Sequence, residues 1–302
     1  MANQTQGPPV ETLILPAPAK LNLFLHITGR REDGYHELQT VFQFLDAQDS
    51  LSFTRLVTPT LEFQCSDPVL ENDDNLVVRA ARLLQQWAQE NQLPPQGVRI
   101  ILDKRLPYGG GLGGGSSDAA TTLLALRQLW QLPISTSDLL LLGLQLGADV
   151  PVFVNGHAAF AEGVGEQLTP VTPSSPWYLV VDPRVQISTA SIFQHPDLRR
   201  DCPPIASHDW QSQQTENVIE PLVRRLYPEV ANALDWLVEY APTRLTGTGA
   251  CLFGSFESQE MARAALARMP AQWTGFVARG LNESPVCQLL RQASTDNLTN
   301  HD

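Results

Sequence analysis

The sequence predicts an α/β protein of two parts, and three observations carry that expectation. Between Leu106 and Leu124 the chain reads LPYGGGLGGGSSDAATTLL, six glycines in seven positions followed at once by an Ala/Leu-rich run of helical character. On both sides of this stretch, strand-like alternation and amphipathic helical periodicity take turns. A shift of composition at Thr169 to Pro176 (TPVTPSSP) then divides the 302 residues into an N-terminal part, 1–170, and a C-terminal part, 171–302.

After a loose polar start, PAPAKLNLFLHITG alternates as a half-buried strand should. Leu21, Leu23, Leu25 and Ile27 line one face, and Lys20, Asn22, Phe24 and His26 share the other. Lys20 and Asn22 therefore project together, either as a polar pair over a ligand or as a solvated strand edge. Pro16 and Pro18 fix the strand's entry. RREDGYHEL places a turn at Asp33-Gly34 with Tyr35 and His36 at its exit. Strands follow at Gln39–Leu45, Ser50–Leu56 and Leu61–Cys65. Asn75 to Glu90 is an amphipathic helix with Asp73 or Asp74 as its cap.

Val98 to Leu102 is a strand that leads through Lys104 and Arg105 into the glycine loop, whose helix runs to about Trp130. A further helix runs from Ser137 or Asp138 to Leu146 and ends at Gly147. In GADVPVFVNGHAAFAEGVGE, spacing alone makes Asp149 a turn or cap residue. Pro151 marks a change of direction into a strand, and Glu162, Gly163 and Gly165 mark a tight turn between short strands.

The second part opens with the strand WYLVVDP and with Ser188-Thr189 capping a short helical segment that carries Phe193. A polar, Pro-rich loop spans Pro196 to Gln214, and helices follow at Val218–Leu226 and Glu229–Glu239. A second Gly/Thr stretch (Thr246, Gly247, Thr248, Gly249) enters a strand. A helix from Ser258 to Arg268 and a strand from Thr274 to Ala278 complete a βααβαβ-like layout. The tail from Ala293 is polar and expected to fray.

Composition narrows the function. With 43% hydrophobic and 17% charged residues the chain reads as folded and soluble. A net charge of −12 disfavours nucleic acid or an anionic membrane as partner, which leaves small molecules. Four scattered cysteines (Cys65, Cys202, Cys251, Cys287) without CxxC spacing read as reduced thiols in the cytoplasm, not as a metal site or disulfide framework. The start, MANQTQGPPVETL, has neither the basic nor the apolar region of a signal peptide. No apolar run approaches the roughly 18 residues of a spanning helix.

A net-negative protein that holds phosphates must do so with local donors, and the glycine loop supplies them. Glycine tolerates φ > 0 and lets backbone amides approach a ligand. Successive exposed N–H groups form an anion-binding concavity, completed by the N-terminal donors and dipole of the following helix. A Walker A loop would need a lysine after Gly115, where Ser116 and Ser117 stand instead. Gly109, Gly111 and Gly114 satisfy GxGxxG, but Pro107 interrupts the required strand and the next element is a helix. A protein-kinase loop would run on into a strand. A flexible linker would not run straight into a capped helix.

What remains resembles the PxxxGLGSSAA phosphate loop of the GHMP kinases (galactokinase, homoserine kinase, mevalonate kinase and relatives). The Lys20 strand, the Gly109–Asp118 loop and the Thr246–Ala250 stretch stand in that family's order. The wording PAPAKLNLFLHITGRREDGYHELQTVFQFLD, DKRLPYGGGLGGGSSDAA, LGADVPVFVNGHAAFAEGVGE and RLTGTGACLF extends the resemblance over Pro16 to Pro285. It closely resembles the members that act on a cytidine-diphosphate-linked methylerythritol in the non-mevalonate isoprenoid route.

The resemblance implies ATP-dependent phosphorylation of that compound's 2-hydroxyl, with Mg²⁺ on the triphosphate. It implies a glycine-loop domain and a ferredoxin-like domain with the active site in the cleft between them. By matching motif positions, Lys20 and Asp149 are the catalytic pair, which reverses the bland reading of Asp149. Pro107, Gly109, Gly110, Gly111, Leu112, Gly113, Gly114, Gly115, Ser116 and Ser117 would receive the phosphates. Lys104, Asn75, Leu76 and Val77 would flank the adenine. Asn22, Tyr35, His36, Phe193, Thr246, Gly247, Thr248 and Gly249 would contact the acceptor. No side-chain cluster announces a metal site; Ser116, Ser117 and Asp118 are candidates, Asp118 equally as a helix-start carboxylate.

Overall fold

The computed structural model describes residues 12–299, so the expected loose start lies outside the described residues. The molecule is knitted together by one long strand. β1 (Thr12–Arg30) and β2 (His36–Leu56) form an antiparallel hairpin closed by the Asp33-Gly34 turn, with Gly34 at φ +90°. Sequence alternation predicts two strands where β2 is a single one. Two acidic residues between the two expected strands are satisfied by neighbouring backbone: Asp46 accepts from the Arg279 amide and Asp49 from those of Arg105 and Leu106. β1 is likewise not half-buried, because Lys20, Leu21, Asn22 and Phe24 are all buried and the register shifts twice between Pro18 and Leu25.

A right-sized crossover follows. β3 (Leu61–Cys65) and β4 (Gly97–Asp103) are parallel neighbours joined through a 3₁₀ turn and α1 (Leu76–Glu90). The cap of α1 is Asn75 itself, whose Oδ1 accepts from the Val77 amide, and not Asp73 or Asp74. β4 pairs with β2 and delivers the chain into the glycine loop and α2 (Gly114–Leu129). Ala119, Ala120, Leu123, Ala125 and Leu126 are fully buried, which makes α2 the central helix of the first core. α3 (Thr136–Leu146), capped by Ser135, and α4 (Val150–Asn155) complete that layer. The expected strand after Pro151 is therefore a helix; proline at the second position is tolerated because the first turn's amides have no intrahelical acceptors. β5 (Ala159–Glu162) and β6 (Gln167–Pro170) form the expected tight hairpin.

The second half is β7 (Trp177–Asp182), α5 (Thr189–Gln194), α6 (Glu220–Leu226), α7 (Pro228–Leu237), β8 (Thr243–Leu245), β9 (Leu252–Phe256), α8 (Gln259–Leu266) and β10 (Thr274–Leu281). Its strands lie in the order β10-β7-β9-β8, all antiparallel, the ferredoxin-like arrangement. The sequence layout lacks β8, which at three residues is too short to show an alternation. Leu179, Val181, Val223, Leu234, Leu252 and Ala262 form its core.

The halves share β2. Its residues 40–42 pair with β5, 44–45 with β10 and 50–56 with β4. α9 (Pro285–Thr299) extends past Ala293, where fraying was expected, and returns Val286 and Leu290 to the first core. Among the described residues, no helix is long and apolar enough to cross a membrane.

Candidate active site

The cleft between the halves contains a cavity of about 740 Å³, inside the range of small-molecule sites. Lys20, Asn22, Tyr35, His36, Gly109, Gly111, Ser116, Asp149, Phe193, Gly247, Thr248 and Gly249 all line it. Residues from six separated stretches thus converge on one space.

Lys20 sits at its floor. Its side chain is only 2% exposed, an expensive place for an ammonium unless every N–H is used. All three have partners: Asn22 Oδ1 at 2.6 Å, the Gly111 carbonyl at 3.0 Å and Asp149 Oδ2 at 3.1 Å. The Phe42 ring lies 5.2 Å from the ammonium on another side. Asn22 is fixed in turn, its Nδ2 donating to Thr40 Oγ1 at 3.0 Å and its backbone amide to Thr246 Oγ1 at 3.0 Å. Asp149 occupies the cap position of α4, as spacing suggested, but its carboxylate caps nothing. It turns to Lys20 and remains 36% exposed to the cavity.

The two glycine stretches cross at this floor. The Cys251 amide donates to the Gly110 carbonyl and the Lys20 amide to the Leu112 carbonyl. A Cβ at Gly111, which has φ +79°, would run into the Thr246 carbonyl oxygen. Gly113 has a different reason for being glycine than close approach to a ligand. With φ +71° it is the N-cap of α2, and a Cβ there would meet Phe153 Cζ at 2.9 Å and Lys20 Cε at 3.0 Å.

The wall opposite carries aromatic rings from both halves. His36 and Phe193 stand with ring centroids 5.2 Å apart at 41°, while Tyr35 is exposed at the rim. The ring that Phe193 meets is thus His36. Burial, followed by the positive charges of Arg200 and Arg30, lowers the pKa of His36, so its imidazole is neutral at neutral pH. Arg200 Nε donates to His36 Nε2 at 2.9 Å, which leaves the ring proton on Nδ1. The same guanidinium donates to the carbonyls of Phe193, His195 and Leu198. Arg200 was missed in the sequence because it lies in the Pro-rich loop, where no periodicity points to it. Thr189 was read only as a cap; its hydroxyl is 2.9 Å from that of Thr248, closing the cavity between α5 and the second glycine stretch.

Other expected site residues stand behind the cavity. Thr246 is fully buried as the joint to Asn22. Asn75 spends its side chain on capping α1, and neither it nor Leu76, Val77 or Pro107 lines the cavity. The Lys104 ammonium lies beneath α2, bound to Asp49 Oδ2 at 2.5 Å and Asp118 Oδ2 at 2.8 Å. Burial opposes its charge, but the two carboxylates outweigh it and hold its pKa raised. Burial also pushes Asp118 up to about 7, against the pull of Lys104 and with the push of Asp49.

A family model described as GHMP kinases N terminal domain matches residues 75–157, and one described as GHMP kinases C terminal matches residues 205–275. The chain is 57% identical over 272 residues to 4-diphosphocytidyl-2-C-methyl-D-erythritol kinase of Shewanella baltica (strain OS223), covering 90% of this chain and 94% of that protein. It is 56% identical over 278 residues to the enzyme of that name from Shewanella piezotolerans, covering 92% and 96%. A crystal structure of 4-(cytidine 5'-diphospho)-2C-methyl-D-erythritol kinase superposes with a TM-score of 0.76 at 33% identity, over 89% of this chain and 99% of that one. Homoserine kinase from Cytophaga hutchinsonii, at 16% identity and a TM-score of 0.67, shares the fold. On these grounds the chain belongs to the GHMP kinases, ATP-using small-molecule kinases, and within them to the 4-diphosphocytidyl-2-C-methyl-D-erythritol kinase family.

Proposed function

We propose that this chain transfers the γ-phosphoryl group of ATP to the 2-hydroxyl of 4-diphosphocytidyl-2-C-methyl-D-erythritol, a step of the non-mevalonate route to isoprenoid precursors, in the cytoplasm. The observation that carries the assignment is the Lys20–Asp149 contact at the floor of a cavity edged by the glycine loop. Phosphoryl transfer needs positioning and charge neutralisation more than covalent help from the protein.

Asp149 is the residue that receives the hydroxyl's proton or orients it, since it lines the cavity with its side chain 36% exposed. Lys20, locked by Asn22 and Gly111, holds the carboxylate in place and stabilises the developing alkoxide. The phosphates lie on the loop of Gly109 to Gly115 with Ser116 and Ser117 at the helix start, and the adenine lies toward Lys104, Asn75, Leu76 and Val77. The cytidine lies on the wall of Tyr35, His36 and Phe193, with Asn22 and the turn from Gly247 to Gly249 holding the rest of the acceptor and Thr246 supporting Asn22 from behind. Functionally the division falls near residue 170, ATP being handled by residues 1–170 and the acceptor held from both sides.

Mg²⁺ is expected as the partner of the triphosphate, but the residues here do not build a site for a resident ion. Asp118 has one oxygen taken by Lys104, and among the described residues no group of three metal-ligating side chains exists. The ion then enters as the ATP complex, as is usual for Mg²⁺.

A coupled ADP-release assay with the cytidyl acceptor, mevalonate and homoserine offered in parallel tests the reading. Turnover is expected with the cytidyl acceptor alone. Turnover with another of the three, or with none, would overturn it.

A further inference from the structure

Lys104, Asp49 and Asp118 form a buried ion cluster that the transfer chemistry does not use. It joins three places that the sequence keeps apart. Asp49 is on β2, Lys104 follows β4 at the entrance of the glycine loop, and Asp118 is on α2 just past the loop's exit. The bonds run in a chain. Asp49 Oδ1 accepts from the amides of Arg105 at 2.6 Å and Leu106 at 2.8 Å, which fixes the direction in which the chain enters the loop. Asp49 Oδ2 takes the Lys104 ammonium, and that ammonium reaches on to Asp118 Oδ2.

Two further observations say what the cluster is for. Asp118 Oδ1 has no hydrogen-bond partner, and the Lys104 ammonium takes its other oxygen. Gly114, the first residue of α2, sits directly on the cluster: a Cβ there would lie 3.0 Å from Lys104 Nζ and 3.6 Å from Asp49 Oδ2. Gly114, and with it the start of the helix, therefore rests on the ions. Burying three ionisable groups is costly unless a particular geometry is needed in return.

We propose that Asp49, Lys104 and Asp118 are positioning residues that clasp the two ends of the glycine loop, so that its amides are pre-set for the phosphates of ATP. The clasp rests on the proposed use of that loop. It acts through the loop and touches neither the acceptor nor the reacting hydroxyl. A pre-organised anion loop binds without paying to order itself, so cutting the clasp weakens the nucleotide selectively.

The test cuts the bond at Asp118, because Asp49 and Lys104 then still pair with each other and no buried charge is stranded. In Asp118→Ala, the dissociation constant for ATP, measured by calorimetry on the full chain, rises at least fivefold. The KM for the cytidyl acceptor stays within twofold. Asp118→Asn keeps an oxygen that accepts from Lys104 and restores ATP binding to within twofold of wild type. If Asp118→Ala does not fold, Asp118→Leu fills the volume and carries the same expectation. A rise in the ATP dissociation constant below fivefold, an equal loss for the acceptor, or an Asn variant as impaired as the Ala variant overturns the clasp. Because ATP binding is read without the acceptor, an error in the acceptor's identity shows separately, as wild-type protein that binds ATP and does not turn over.

Discussion

Asp149 stands where a helix cap should stand, yet its carboxylate lies 3.1 Å from the ammonium of Lys20. The backbone of α4 sets the position, and Pro151 in the first turn removes one of the amides a cap would serve. The carboxylate is left free to face a substrate. That contact joins a residue on β1 to one beyond α3, and much of the surrounding sequence serves to hold it.

Glycines at the crossing of the two loops differ in what they tolerate. Gly111→Ala would drive a Cβ into the Thr246 carbonyl, whereas at Gly109 nothing lies within 4 Å. Both have positive φ, which costs a non-glycine residue about 1–2 kcal/mol. Thermal denaturation should therefore show a clearly larger loss of Tm for Gly111→Ala than for Gly109→Ala. Equal losses would mean that the crossing is looser than described.

The base wall should discriminate between the two substrates. Stacking on a base is worth about 1–3 kcal/mol, so Phe193→Ala and Tyr35→Ala should each raise the acceptor KM roughly 5- to 150-fold. The ATP KM should barely move. Equal losses for both substrates would mean that the substitutions merely loosen the fold.

Arg200 should act on the same wall from behind. Its guanidinium ties His36 to the segment that carries Phe193 through four hydrogen bonds. Arg200→Met should raise the acceptor KM about tenfold or more, the scale of losing hydrogen bonds from a charged donor, with ATP binding unchanged. An unchanged acceptor KM would remove Arg200 from the wall.

Buried Asp118 gives stability a pH dependence. Its folded-state pKa is raised to about 7, above the roughly 3.9 of an unfolded aspartate, so the folded state holds the proton more tightly. That contribution is complete below the unfolded value and is lost as pH rises through about 7. Relative to Asp118→Asn, which does not titrate, the wild-type Tm should fall between pH 5.5 and pH 8.5. A constant gap would contradict the raised pKa.

How much of this was legible depended on whether a residue's partners were near it in sequence. Lys20 and Asn22 were found because strand alternation pairs neighbours two apart, and they do meet at 2.6 Å. The helix behind the glycines was visible for the same local reason, although it begins at Gly114 and has no side-chain cap. Asp149 was ambiguous because spacing reports backbone position, and its carboxylate is directed by a lysine 129 residues earlier, 149 minus 20. Arg200 and Thr189 were not seen as site residues, since their partners His36 and Thr248 are 164 and 59 residues away. Lys104 was read from its place beside the loop, but Asp49, 55 residues away, takes its charge beneath α2. The unbroken β2 was hidden because Asp46 and Asp49 look like turn residues until the amides that bind them are known.

The central claim is that Asp149, held by Lys20, handles the acceptor's hydroxyl. The most direct measurement is kcat of Asp149→Asn with the cytidyl acceptor, alongside its ATP dissociation constant by calorimetry. Proton-transfer roles contribute about 10²–10⁴-fold, so kcat should fall by that factor while ATP binding stays near wild type. A kcat within a few-fold of wild type, in a variant that binds ATP normally, would contradict it.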